Sequence, residues 1–329
     1  MQRVLSGGVL VCLLLAAMPA ACQAQTPAPP APGGTRREVA VTFDDLPGMH
    51  PYSLATTRAI NEKILAVIAE HKIPAVGFVT GARVNAGGEG GERLDILRRW
   101  LAAGLELGNH TYSHHDYHRT AAATFRQDVI RAEVIINKLL AERGARVKYF
   151  RHPYLHTGRS QAARDELAQF LAGRGYTVAP VTHDNQEWIF AIAYERASAV
   201  GDRALMRRIG EAYVVYMRDL FEYYERLSND LFGYEIRQVL LLHVNPLNAD
   251  YFDELVGMMR ERGYEFVSLG RALEDKAYAS ADTYAGAMGL SWLQRWALAR
   301  GTRYQKETPV PGFVMGVYQQ RGAARGARR

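Results

Sequence analysis

Residues 38–48 read EVAVTFDDLPG, and the fold turns on them. Glu38 to Phe43 is an apolar run of the buried-strand type. It delivers two adjacent carboxylates, Asp44 and Asp45, and then a turn signal, Pro47-Gly48. Like charges at the end of an apolar strand repel each other and resist burial, so something must offset their cost.

Working outward, short apolar runs alternate with helical patterns. Strands are expected over residues 39–43, 75–79, 105–108, 147–150, 177–181, 239–242 and 265–267. Helices are expected over 53–71, 94–103, 121–143, 161–172 and 250–262. Such alternation argues for parallel strands joined by crossover helices. Seven strands in one unbroken run suit a barrel better than an open sheet. Two segments stand outside the alternation. Residues 199–232 carry Met206, Ile209, Tyr213, Met217, Leu220, Tyr224, Leu227 and Leu231 at three- and four-residue steps, which predicts one long amphipathic helix, or two, before the sixth strand. The aromatic stripe reads as packing. Trp292 and Trp296 share helical spacing in a C-terminal extension expected to lie on the barrel. Residues 85–91, NAGGEGG, lack the Gly-Lys-Ser/Thr of a phosphate cradle and read as a loop.

The chain has 329 residues, 48% of them hydrophobic, enough for a large core. Its net charge of +6 owes much to four arginines in the last nine residues, so the body is nearly neutral and no nucleic-acid face is implied. Residues 1–24 read as a signal peptide: Arg3, a short apolar core, and small residues around Ala24. They are too short for a comfortable membrane span, and no span is expected in the mature chain. Both cysteines, Cys12 and Cys22, fall in this segment, leaving no disulfide or thiolate chemistry beyond it. Export to the periplasm fits that composition. Lipidation of Cys22 is the lesser reading, because Pro19 stands where such sites usually have Leu. The expected organisation is a Pro-rich linker over 25–37, a barrel over 38–276 with a helical insertion at about 190–235, and an extension over 277–329. Oligomeric state is left open.

Polar residues gather at the C-terminal ends of the expected strands, where α/β barrels carry their active sites. His110 and His114 are four apart and would share a face on a helical turn. With a carboxylate they make a two-His, one-carboxylate metal site, which suits zinc, with cobalt, nickel or iron as alternatives. A metal would neutralise one Asp of the doublet and leave the other as a base. Arg151 needs a carboxylate partner, and Asp44 is a natural one. His243 caps an apolar strand and is either a satisfied core histidine or a general acid. His50, His115, Asp116, His118, His152 and His156 read as structural or surface groups, and His183 is undecided.

Thr42-Phe-Asp-Asp45, His110-Thr-Tyr-Ser-His114, Arg151-His-Pro-Tyr154, Asp184-Asn-Gln-Glu-Trp188 and Leu240-Leu-Leu-His243 resemble, in order, the five motifs of the polysaccharide deacetylases, carbohydrate esterase family 4. The resemblance covers about residues 38 to 270. It implies a distorted (β/α)7 barrel and a metal-dependent N- or O-deacetylase of glycans. Carried over, Asp45, His110 and His114 would hold the metal, Asp44 would be the base, and Arg151 would orient it. The Tyr154 backbone N–H would help hold the oxyanion. Trp188 and either Leu241 or Leu240 would line the acetyl pocket, and His243 would protonate the leaving group. The family usually has Asp before the motif-four Trp; here Glu187 would tune His243. The 54 residues from 189 to 242 exceed what a simple link needs, and the inserted segment is expected to overhang the cleft or to form an interface. The competing readings are a hydrolase of a small non-glycan amide, a silent glycan-binding protein, and an envelope assembly factor.

Overall fold

β1 (Arg37–Leu46) is the hub of a parallel sheet. The structure is a computed structural model that describes residues 37–320; the expected leader and basic tail, and all but the last residue of the linker, lie outside the described residues. The elements alternate as the hydrophobic pattern requires. After β1 come α1 (Leu54–His71), β2 (Val76–Val79), α2 (Gly81–Val84), α3 (Gly90–Ala102) and β3 (Glu106–Asn109). There follow α4 (Ala122–Ala141), β4 (Tyr149–Phe150), α5 (Gln161–Gly173) and β5 (Thr177–Val178). Then come α6 (Glu187–Ala199), α7 (Arg203–Phe232), β6 (Gln238–His243), α8 (Pro246–Glu261) and β7 (Tyr264–Phe266). The extension supplies α9 (Leu269–Leu273), α10 (Trp292–Ala299) and α11 (Gly312–Gln319).

Strand order is β5-β4-β3-β2-β1-β6. The ring closes where the chain beyond β5 reaches β6: the N–H groups of Thr182 and His183 both donate to Val239 O at 3.0 Å, and Leu241 N–H donates to His183 O. β7 pairs only with Arg37–Val39 at the start of β1. This is a distorted (β/α)7 barrel, and all seven expected strands exist. β4 and β5 are two-residue strands, shorter than their apolar runs, because the chain leaves the ladder early to present the loops that follow.

Helix starts are set by short polar side chains. Ser53, Ser160, Asp202, Asn245, Ser268 and Ser291 each accept an N–H of the first turn. Each such cap is worth about 1 kcal/mol. Of the two forms expected for residues 199–232, the single long helix is the one observed: α7, with α6 preceding it. α7 spans 30 residues, about 45 Å at the usual rise. Its buried stripe, including Ile209, Tyr213, Met217, Leu220 and Tyr224, packs on α6, α8 and α10. No described helix is long and apolar enough to cross a membrane.

Candidate active site

Asp44 and Asp45 lie inside β1 rather than beyond it. In a regular strand, neighbours point to opposite faces. Asp45 has φ +65°, and the β1–β2 register shifts between Phe43 and Leu46. That break in alternation lets both carboxylates line one cleft of about 460 Å³. The doublet is therefore a local backbone feature, and the cost of burying it is met by partners.

Arg151, fully buried after β4, meets Asp44. Its Nη1 donates to Oδ1 at 3.2 Å and Oδ2 at 3.3 Å. The same guanidinium donates from Nη2 to Thr42 Oγ1 at 3.0 Å and from Nε to Ala179 O at 2.9 Å. The expected pair is thus present, and every edge of the guanidinium is used.

Asp45, His110 and His114 present one ligand atom each within 4.8 Å of one another. His110 Nδ1–H donates to Arg151 O at 2.9 Å, which leaves its Nε2 lone pair facing the cleft. His114 Nε2 lies 3.7 Å from Asp45 Oδ1, and Thr80 Oγ1–H donates to that same oxygen at 2.7 Å. Burial works against charge on Asp45, but His114 and His110 outweigh it and hold the carboxyl at about 2. Burial pulls His114 down to about 4, so its ring is neutral and free to ligate at neutral pH. A carboxylate and two imidazoles gathered on one cleft wall are the donor set a divalent ion of the zinc type takes. The helical turn expected between the histidines does not form. Thr111 and His114 both have positive φ, and the loop folds back so that the rings meet edge to face, 4.8 Å apart.

His243 ends β6 in register with Asp44 on β1. Its Nδ1 lies 2.7 Å from Glu187 Oε2, with Glu187 fully buried at the start of α6. The longer Glu thus reaches His243. Burial alone would lower the His243 pKa, but Glu187 outweighs it and lifts it to about 9. Glu187 Oε1 accepts from Asn248 Nδ2 at 2.9 Å and also from Asn245 Nδ2. Tyr213 of α7 donates to Asn248 Oδ1 at 2.8 Å. The insertion therefore braces the His243–Glu187 pair from behind. It does not overhang the cleft through α7, which supplies none of the cleft wall; α6 supplies Trp188 and Ile192.

Leu241 lines the cleft, whereas Leu240 faces the interior, which decides between them. Tyr154 and Trp188 are exposed at the mouth. Trp188 packs edge-on against Tyr318 of α11, 5.5 Å between centroids. Several wall residues escaped sequence reading, Met49, Arg83 and Gly289 among them, while Asp184 opens the fourth motif and also lines the wall. Burial raises Asp184 to about 7. Gly289 comes from the extension and touches the Tyr154 carbonyl so closely that a Cβ would lie 1.9 Å from that oxygen. Arg295 Nη2 donates to Thr157 Oγ1 at 2.7 Å. The extension thus buttresses the Tyr154 loop. His152 is buried in the cleft wall, and burial lowers it to about 3. His183 is core: it packs on Phe221 and Tyr224.

A second Asp–His–His group, Asp116, His118 and His156, meets the same 4.8 Å criterion. Its chemistry differs. His156 Nδ1–H donates to Asp116 Oδ1 at 2.7 Å, and His118 Nε2 accepts Gly158 N–H at 3.2 Å. A neutral imidazole has one lone pair, so that of His118 is already used. The rings stack face to face, 3.9 Å apart and 8° from parallel, so their nitrogens do not aim at one point. This group is a clamp between two loops, as the structural reading of its members expected.

Known proteins resemble the first half of the described residues. Residues 32–173 match the family model for polysaccharide deacetylase. This segment is similar to the polysaccharide deacetylases. It is 32% identical over 125 residues to a chitooligosaccharide deacetylase of Sinorhizobium fredii, covering 38% of this chain and 50% of that protein. It is 32% identical over 120 residues to a peptidoglycan-N-acetylglucosamine deacetylase of Bacillus cereus, covering 36% and 37%. The chain thus spans half or less of these relatives' length. The crystal structure of the polysaccharide deacetylase Bc1974 from Bacillus cereus aligns with a TM-score of 0.50 at 20% identity, covering 71% of this chain and 92% of that one. That likeness supports the family's barrel fold. The matched segment stops before Glu187 and His243, which join the site through the fold alone.

Proposed function

We infer that this chain is a metal-dependent hydrolase that removes acetyl groups from an N- or O-acetylated glycan. The observation that carries the reading is the placement of Asp44 opposite His243 in the β1–β6 register, beside the convergent Asp45, His110 and His114. Hydrolysis of an amide or ester needs an activated water, a stabilised oxyanion and a protonated leaving group. A divalent ion held by Asp45, His110 and His114, zinc first and cobalt or nickel as alternatives, would acidify water and polarise the acetyl carbonyl.

The chain's own residues do the rest. Asp44, fixed by Arg151, takes a proton from the attacking water. The Tyr154 backbone N–H donates to the developing oxyanion. His243, kept cationic by Glu187, gives its proton to the departing amine or alcohol. Trp188 and Leu241 border the acetyl group. The exposed rings of Tyr154 and Trp188 offer faces on which sugar rings can lie. The leader read in the sequence would place the reaction in the periplasm.

The test is acetate release by the metal-loaded and metal-stripped protein, across N-acetylated chitooligosaccharides, peptidoglycan fragments, O-acetylated glycans and simple acetyl amides. Metal-dependent release from a glycan supports the reading. Release from small amides alone turns it into the non-glycan alternative. No release from a metal-loaded protein that still binds glycan turns it into the silent one.

A further inference from the structure

We propose that Arg83, with His50 beside it, forms a carboxylate-binding subsite in the cleft, so that the favoured substrate is an acidic acetylated saccharide; this rests on the glycan reading above. Charged groups on the cleft wall have partners, with one exception. Asp44 is matched by Arg151, Asp45 by Thr80 and the two histidines, and His243 by Glu187. Arg83 is matched by nothing. Its side chain makes no hydrogen bond or ion pair with any described residue, although it is only partly exposed and lines the cleft. The nearest acidic residue along the chain, Glu89, is taken by Arg93.

A guanidinium presents five N–H donors in a planar fork and does not shed its charge. Partly withdrawn from water, it costs least when an anion faces it, and a carboxylate matches the fork through two parallel bonds. Its position is fixed by the site itself. Thr80, which donates to Asp45, precedes α2, and Arg83 follows within the same turn. Around it stand His50, depressed by burial and then by Arg83, and the exposed Tyr154 ring. An acetylated sugar bound at the catalytic groups would therefore carry its carboxylate on the Arg83 side, as a uronate or as an acid-bearing ether substituent.

The experiment compares each acid with its own methyl ester: an N-acetylmuramic acid disaccharide, and an acetylated glucuronate disaccharide. Acetate release is measured on the zinc-loaded wild type, and binding on the zinc-loaded Asp44→Asn chain, which needs no turnover. The wild type is expected to favour an acid over its ester by tenfold or more in kcat/KM, mostly through KM, and less so at high salt. The pair that shows the larger ratio names the carboxylate's source. Arg83→Ala should bring the ratio near one, with Arg83→Lys between. Equal handling of acid and ester by the wild type, in turnover and in binding, overturns the subsite. So does an Arg83→Ala loss that is the same for both. An acid preference in binding without any acetate release would keep the subsite and overturn the deacetylase reading.

Discussion

Two Asp–His–His groups flank Tyr154 and differ in what their atoms are free to do. In Asp45, His110 and His114, a backbone carbonyl takes the His110 Nδ1 proton and leaves Nε2 open. In Asp116, His118 and His156, the members bond to each other and to backbone, and the two rings lie parallel. Composition is the same, yet in the second group the His118 lone pair is taken by a backbone N–H and the rings are parallel, whereas His110 Nε2 in the first is left open. Tyr154 joins the two: its ring contacts His114 at 4.6 Å and His156 at 5.8 Å. The first group is thus read as the reaction centre and the second as the staple that holds the loop beside it.

The largest contrast comes from one histidine of each group. His110→Ala should lose both metal and activity, by on the order of a thousandfold or more. His156→Ala should keep its metal. Elemental analysis after dialysis, alongside acetate release, reads both. A His156→Ala chain stripped of metal would break the comparison. Asp44→Asn comes next. It should bind metal normally and lose about 10²–10⁴ in kcat. Near-normal turnover would remove the base from the account.

Glu187→Gln sharpens the reading in pH. The folded pKa of His243 lies above its ordinary 6.5, at about 9, and the acid works protonated. Wild-type kcat should therefore hold through neutrality and fall as pH rises through about 9. Without the Glu187 charge, burial is opposed only by Asp45 and Asp44, so the fall should move to lower pH. An unmoved alkaline limb would assign it to another group. The smallest effect is stability in the clamp. His156→Ala should cost about 1–2 kcal/mol of unfolding free energy, measured by urea denaturation, with a modest drop in kcat as the Tyr154 loop loosens.

Much of this was legible in the sequence because strands are short-range objects. An apolar run of five residues followed by polar ones says where a strand ends, and barrel topology sends those ends to one face. Asp44, Asp45, His110, Arg151 and His243 could be placed that way. The turn between His110 and His114 could not, since positive φ at Thr111 and His114 leaves no signature in those residue types. Nor could the brace from Tyr213 through Asn248 to Glu187, which joins three helices. Helical periodicity read the aromatic stripe of α7 as packing but could not say that one of its tyrosines reaches the acid's support. Arg83 and Gly289 come from loops and short turns, where sequence pattern carries least.

The most direct test of the central claim is acetate release from an N-acetylated chitooligosaccharide by three proteins supplied with zinc: wild type, His110→Ala and His156→Ala. The account expects release by wild type and by His156→Ala, none by His110→Ala, and restoration of metal-stripped wild type by added zinc. Release by His110→Ala, or its loss in His156→Ala together with the metal, would contradict it.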